Sequence, residues 1–200
     1  MRFGFCSHHP HSDYWLLITQ AARQRAQELG ASVSISYANS LEQQIAAIDQ
    51  FAAESVDALL VGPLERVGLG PAIGRAQACG VPVLTVDSVV DDAQPDARIY
   101  LDNFGGGQAV ASVIAEQLGG AGKVALINGP AHFESAAKRA EGMRAALACY
   151  PGIEIVFDQA AANFWQEQGR ELGRAALADH PDVQAICAAN DLIAFGALEA

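Results

Sequence analysis

The feature that most constrains this chain is an unbroken alternation of short apolar runs with helix-period stripes. Phe3 to Cys6 is a strand-like run, and from about Asp13 a helix follows, with Ile18, Ala22, Ala26 and Leu29 on one face and Gly30 as its stop. Val33, Ile35 and Tyr37 alternate with serines, as an edge strand does. Ser40 and Gln43 form a capping box ahead of a stripe of Leu41, Ile45, Ile48 and Ala52. Asp57 to Val61 and Pro82 to Val86 are continuous and apolar, the pattern of strands covered on both faces, with a helix from Gly70 to Cys79 between them. Arg98 to Leu101 predicts a shorter strand.

The second half repeats the pattern. A helix from Gly105 to Leu118 precedes strand Lys123 to Ile127, then helix Ser135 to Ala148, strand Ile153 to Phe157, helix Trp165 to Ala178 and strand Gln184 to Ala188. A last helix begins near Asp191. Such alternation predicts parallel sheets with helices on both faces. The polar stretch Val89 to Ala97 argues for a boundary rather than one wide sheet, so the expectation is two doubly wound α/β lobes, 1–103 and 104–200, with a hinge near Asp102 to Gly105. The final helix stops at Ala200 without a cap, which predicts that the second lobe is truncated.

Composition removes several functional classes. With a formal charge of −11 and only 12 basic residues, the chain lacks the cationic surface that a phosphate backbone requires, so no nucleic-acid partner is expected. No apolar run approaches a membrane span, and no secretion signal is visible in this sequence. Cys6, Cys79, Cys149 and Cys187 are widely spaced and read as buried free thiols. His8, His9 and His11 sit together near Asp13, but adjacent histidines around a proline rarely converge on one ion, so no metal is expected. Gly68, Gly70 and Gly74, and separately Gly105, Gly106 and Gly107, fall short of a dinucleotide fingerprint, and no cofactor is expected. No nucleophile elbow, phosphate loop or paired-carboxylate arrangement can be assembled, so the chain does not read as an enzyme.

What remains are polar and aromatic residues at strand ends, where open α/β sheets hold ligands. Arg139 stands in Lys138-Arg139-Ala140-Glu141-Gly142, and Asn190 in Asn190-Asp191. A guanidinium and a carboxamide suit hydroxyls, which both donate and accept. The alternative for Arg139 is a surface charge paired with Glu141 or Glu134. Asp87 follows a buried strand, and its alternative is a cap or a turn. Asn103 serves equally well as a cap of the helix that follows it, and Asn190 combines the two roles. Trp15 and Trp165 stand at helix starts, as stacking surfaces or as core.

Asp13-Tyr14-Trp15, Val83 to Asp87, Leu101-Asp102-Asn103, Arg139 in its context, and Asn190-Asp191 followed by Ala194 to Ala197 come in a characteristic order. In this the chain resembles the type I periplasmic binding proteins, specifically the ribose-binding-like sugar receptors of ABC transporters, whose scaffold the effector domains of the lac repressor family share. The resemblance implies two lobes that close about a hinge on a monosaccharide or polyol. It implies ligand contacts at Asp13, Tyr14, Trp15, Asp87, Asp102, Asn103, Arg139, Phe164, Trp165 and Asn190. It also implies a membrane permease as partner and a periplasmic location. A sugar-sensing domain of a cytoplasmic regulator is the alternative. The chain departs from the pattern in its long His-rich loop from Ser7 to Ser12, and at Ser88, where ribose receptors carry an arginine.

Overall fold

The computed structural model describes residues 1–8 and 13–200. Strands and helices alternate as β1 (Arg2–His8), α1 (Asp13–Glu28), β2 (Ser32–Ala38), α2 (Leu41–Ala53), β3 (Ala58–Val61), α3 (Gly70–Ala78) and β4 (Val83–Val86). They continue as β5 (Ala97–Ile99), α4 (Asn103–Gln117), β6 (Ala121–Asn128), α5 (Glu134–Leu147), β7 (Gly152–Ala160), α6 (Gln166–Asp179), β8 (Ala185–Ala188) and α7 (Asp191–Leu198). The strand pairings among these elements are all parallel. The chain divides into two compact units, Met1–Leu101 and Asp102–Ala200.

In the first unit the strand order is β2-β1-β3-β4-β5. Leu59 and Val61 of β3 face α2 and α3 and pack with Ile48, Phe51, Ile73 and Val83. Leu60, between them, turns to the opposite face, where Phe5, Trp15 and Val86 pack with Ile18 and Ala22 of α1. Both faces of β3 are therefore covered, which is why its sequence has no polar alternation. At the edge, β2 sends Val33 and Ile35 to the α1 face and leaves its serines between them.

Two local details differ from expectation. Helix α1 ends at Glu28, and Gly30 follows with φ +69, so Leu29 lies beyond the helix and is exposed rather than on its buried stripe. At α2, the Ser40 hydroxyl accepts the Gln43 N–H at 3.3 Å, while the Gln43 side chain returns to the N–H of Asn39, one residue before the cap.

The polar stretch expected as a boundary is instead fastened into the first unit by its acids. Asp91 takes a two-pronged ion pair from Arg66 at 2.9 and 3.1 Å. Asp92 accepts the N–H groups of Gly68 and Gly70 at 2.7 and 3.1 Å. Asp96 accepts the Val83 N–H and the Gln77 amide, and the Gln77 bond, then that of Val83, holds its carboxyl below the usual range. The amides of the glycine-rich turn before α3 thus bind a carboxylate of the chain itself.

The second unit has strand order β7-β6-β8. Val124 and Leu126 of β6 face α4 and α5 and meet Ala111, Met143 and Leu147. Ala125 and Ile127 face the other way, toward Ala176 and Ile193 of α6 and α7. The helices of each pair meet through glycine. A Cβ at Gly107 would run into the Arg139 carbonyl, and one at Gly142 into the Phe104 carbonyl, so α4 and α5 touch backbone to backbone. Gly169 and Gly196 do the same for α6 and α7.

Candidate functional site

In a doubly wound sheet the crevice opens beyond the carboxyl ends of the strands where the winding direction reverses. In the second unit β6 is central and is flanked by β7 and β8, so the reversal lies between β6 and β8. The residues just past those strand ends are Gly129 and Ala189-Asn190. Arg139 of α5 reaches this place. Its Nε donates to Asn103 Oδ1 at 2.8 Å and its Nη1 to the carbonyl of Ala189 at 3.0 Å. The guanidinium is thereby held between the start of α4 and the end of β8.

Neither acceptor is charged, and among the described residues Arg139 has no ion pair. Glu141, an expected partner, is bound to Lys138 at 2.7 Å instead. The surface-pair alternative for Arg139 is thus set aside. A half-buried cation held by neutral oxygens, with Nη2 unused by any described residue, keeps donors for a further acceptor.

Asn190 combines the roles of cap and bridge. Its Oδ1 accepts the Ile193 N–H at 2.9 Å, capping α7, while its Nδ2 donates to the Phe164 carbonyl at 3.2 Å. Phe164 leans against Phe133, with ring centroids 5.4 Å apart, and its ring fills the space that a Cβ at Gly129 would need. Trp165, the next residue, is 52% exposed. The cap of α4 decides between the two roles open to Asn103. Asp102 Oδ1 accepts the Gly105 N–H at 2.8 Å, leaving Asn103 buried and free of that duty, with its amide oxygen on Arg139.

The first unit carries a second cluster. Its winding reverses between β1 and β3. Asp87 sits at the end of β4, next to β3, with φ +70, a left-handed conformation that costs a residue with a Cβ about 1–3 kcal/mol. Its N–H bonds the Ile99 carbonyl at 2.8 Å, and the Ser88 N–H turns back to the Val86 carbonyl at 2.9 Å. Its Oδ1 accepts the Tyr14 hydroxyl at 2.6 Å. Asp13 opens α1 and is exposed.

The tryptophans part company. Trp15 is a core residue, 5% exposed, with its ring over Gly62 and against Phe5 and Val86, so the stacking surface expected there is corrected to packing. Only glycine at 62 leaves room for that ring. The expected burial of the cysteines holds for Cys6 and Cys187, whereas Cys79 and Cys149 are exposed; all four are free. The side chain of His8, and His9 and His11 entirely, lie outside the described residues.

Two polar residues went unread in the sequence. Asn128 ends β6, is 3% exposed, and donates to Asp158 at 2.6 Å; its Oδ1 has no partner among the described residues. Asp158 is itself clasped by Arg144 at 2.7 and 2.8 Å, a contact that holds its carboxyl below the usual carboxylate range. A lone polar side chain closing an apolar run was the available signal, the same one that marks Asp87 and Asn190. Gln44 is fully buried on α2 and bridges the Gly62 carbonyl and the Leu64 N–H at 2.5 and 3.0 Å. No pattern along the chain announces that bridge.

Comparison with known proteins identifies the family. The profile of the family described as periplasmic binding protein domain matches residues 3–200. The ribose import binding protein RbsB of Bacillus subtilis is 30% identical over 188 residues, covering 94% of this chain and 61% of that protein. Among solved structures, an ABC transporter periplasmic solute binding protein from Actinobacillus succinogenes, with bound D-allose, superposes with a TM-score of 0.92 at 28% identity, covering 99% of this chain and 72% of the other. The periplasmic binding component of the arabinose ABC transporter from Shewanella, bound to L-arabinofuranose, gives a TM-score of 0.89 at 25% identity, with 100% and 68% covered. The chain thus spans less than two thirds of the length of its Bacillus relative.

Proposed function

Since this chain belongs to the periplasmic binding protein domain family, we propose that it captures a monosaccharide or polyol for an ABC transporter, delivering it in the periplasm to a membrane permease. The observation that carries the reading is Arg139, which has no ion pair among the described residues and is held by neutral oxygens beside Asn103, Asn190 and Phe164. Amides, a guanidinium with spare donors and aromatic surfaces match the alternating hydroxyls and apolar C–H faces of a sugar. The first unit adds Asp87 as an acceptor and Tyr14, which is partly exposed, as an aromatic neighbour. The ligands for which related proteins are named (ribose, D-allose and L-arabinofuranose) support the same chemical class.

The mechanism is binding without turnover. Each cluster alone offers a few hydrogen bonds, and a ligand that engages both favours whichever arrangement of the units permits all of them. A permease could then distinguish loaded from empty protein. A thermal-shift screen of the full-length protein against pentoses, hexoses and polyols tests the reading, because a ligand that binds the folded state raises the unfolding temperature. At 100 times the dissociation constant the stabilisation is about 2.7 kcal/mol. Stabilisation by at least one member is expected, and a flat response across the panel would refute the sugar assignment.

A further inference from the structure

The Asp87 carboxylate is held by a device unlike the helix caps and ion pairs found elsewhere in the chain. The turn that carries it is pinned by two backbone bonds, Asp87 N–H to Ile99 and Ser88 N–H to Val86, at 2.8 and 2.9 Å. One carboxylate oxygen then takes the Tyr14 hydroxyl at 2.6 Å, toward the short end of the range for a hydroxyl donor. Tyr14 is in turn set edge-on to Trp15, with ring centroids 5.6 Å apart and planes at 81°. Trp15 is locked in the core over Gly62. A rigid series therefore runs from the core through Trp15 and Tyr14 to one oxygen of Asp87.

We propose that Tyr14 is a positioning and specificity-determining residue that acts through Asp87, an inference that rests on the sugar-binding reading above. A carboxylate with both oxygens open can bridge two adjacent hydroxyls. With Oδ1 engaged by the phenol, Oδ2, which has no partner among the described residues, is the oxygen that remains for ligand, and it accepts from one hydroxyl at a fixed place. Tyr14 thereby narrows the set of sugars whose hydroxyl pattern fits.

Calorimetric titration of the full-length protein with D-ribose, D-allose, L-arabinose and 2-deoxy-D-ribose tests this in Tyr14→Phe, Asp87→Ala and the double variant. Phenylalanine keeps the ring and deletes only the hydroxyl. Tyr14→Phe should weaken the best of these four sugars about tenfold and reduce its lead over the others. In the Asp87→Ala background the same change should have no further effect, which a purely structural role for the ring would not produce. Unchanged affinities and rank order in Tyr14→Phe would overturn the inference, as would an equal loss with and without Asp87. Failure of the sugar reading looks different: all four sugars would be ignored by the wild type, or bound equally well by Asp87→Ala and Arg139→Ala, and either result removes this inference too.

Discussion

Cys6 and Cys187 lie one in each unit, and burial pushes both thiols up to about 12. The thiolate is the reactive form, so neither reacts while its unit stays folded. Cys79 and Cys149 are exposed and free. A chromogenic disulfide reagent at pH 8 should therefore label two thiols quickly in the native protein and two more only on unfolding; four fast thiols would contradict the packing described here. At this scale the sequence marked the chemistry of residues better than their partners. Arg139 and Asn190 were legible because a cation and an amide stood beside apolar strands. That Asp102 would cap α4 and leave Asn103 to Arg139 was not, because both side chains suit the same cap and only the approach of α5 decides between them. Trp15 was misread for a related reason: the space that buries it is made by Gly62, far along the chain.

At the scale of elements, the alternation of periods predicted nearly every helix and strand within a few residues, since burial on one face or two leaves its mark locally. Contacts between elements left less trace. Gly105, Gly106 and Gly107 invited comparison with phosphate-binding turns, whereas Gly107 serves the close approach of α4 to α5 at Arg139 itself. Gly107→Val and Gly142→Val should each destabilise the protein by at least about 1–3 kcal/mol, because each added side chain meets a backbone carbonyl that cannot yield alone. Gly106 has open space around its missing Cβ, so Gly106→Ala should be neutral or mildly stabilising. Urea denaturation measures all three, and equal stability for Gly106→Ala and Gly107→Val would contradict the packing. The same acids that suggested a boundary, Asp91, Asp92 and Asp96, bind backbone and side chains of the first unit. Polar composition alone does not separate a linker from a loop whose carboxylates are all employed.

For the whole molecule, parallel sheets followed from the alternation, but strand order did not. The orders β2-β1-β3-β4-β5 and β7-β6-β8 depend on which way each crossover turns, and helices of similar apolarity fit either side of a sheet. That order matters for the proposed site because it creates the reversal beside which Arg139, Asn103, Asn190 and Phe164 gather in the second unit. In the proposed function this cluster holds a hydroxyl-rich ligand through the guanidinium. The most direct measurement is calorimetric titration of the full-length wild type and Arg139→Ala with the most stabilising sugar from the thermal-shift screen. Loss of a charge-assisted hydrogen bond is worth about 1.5–3 kcal/mol, so the variant should bind roughly 10- to 150-fold more weakly while remaining folded. A dissociation constant unchanged by the substitution would contradict it.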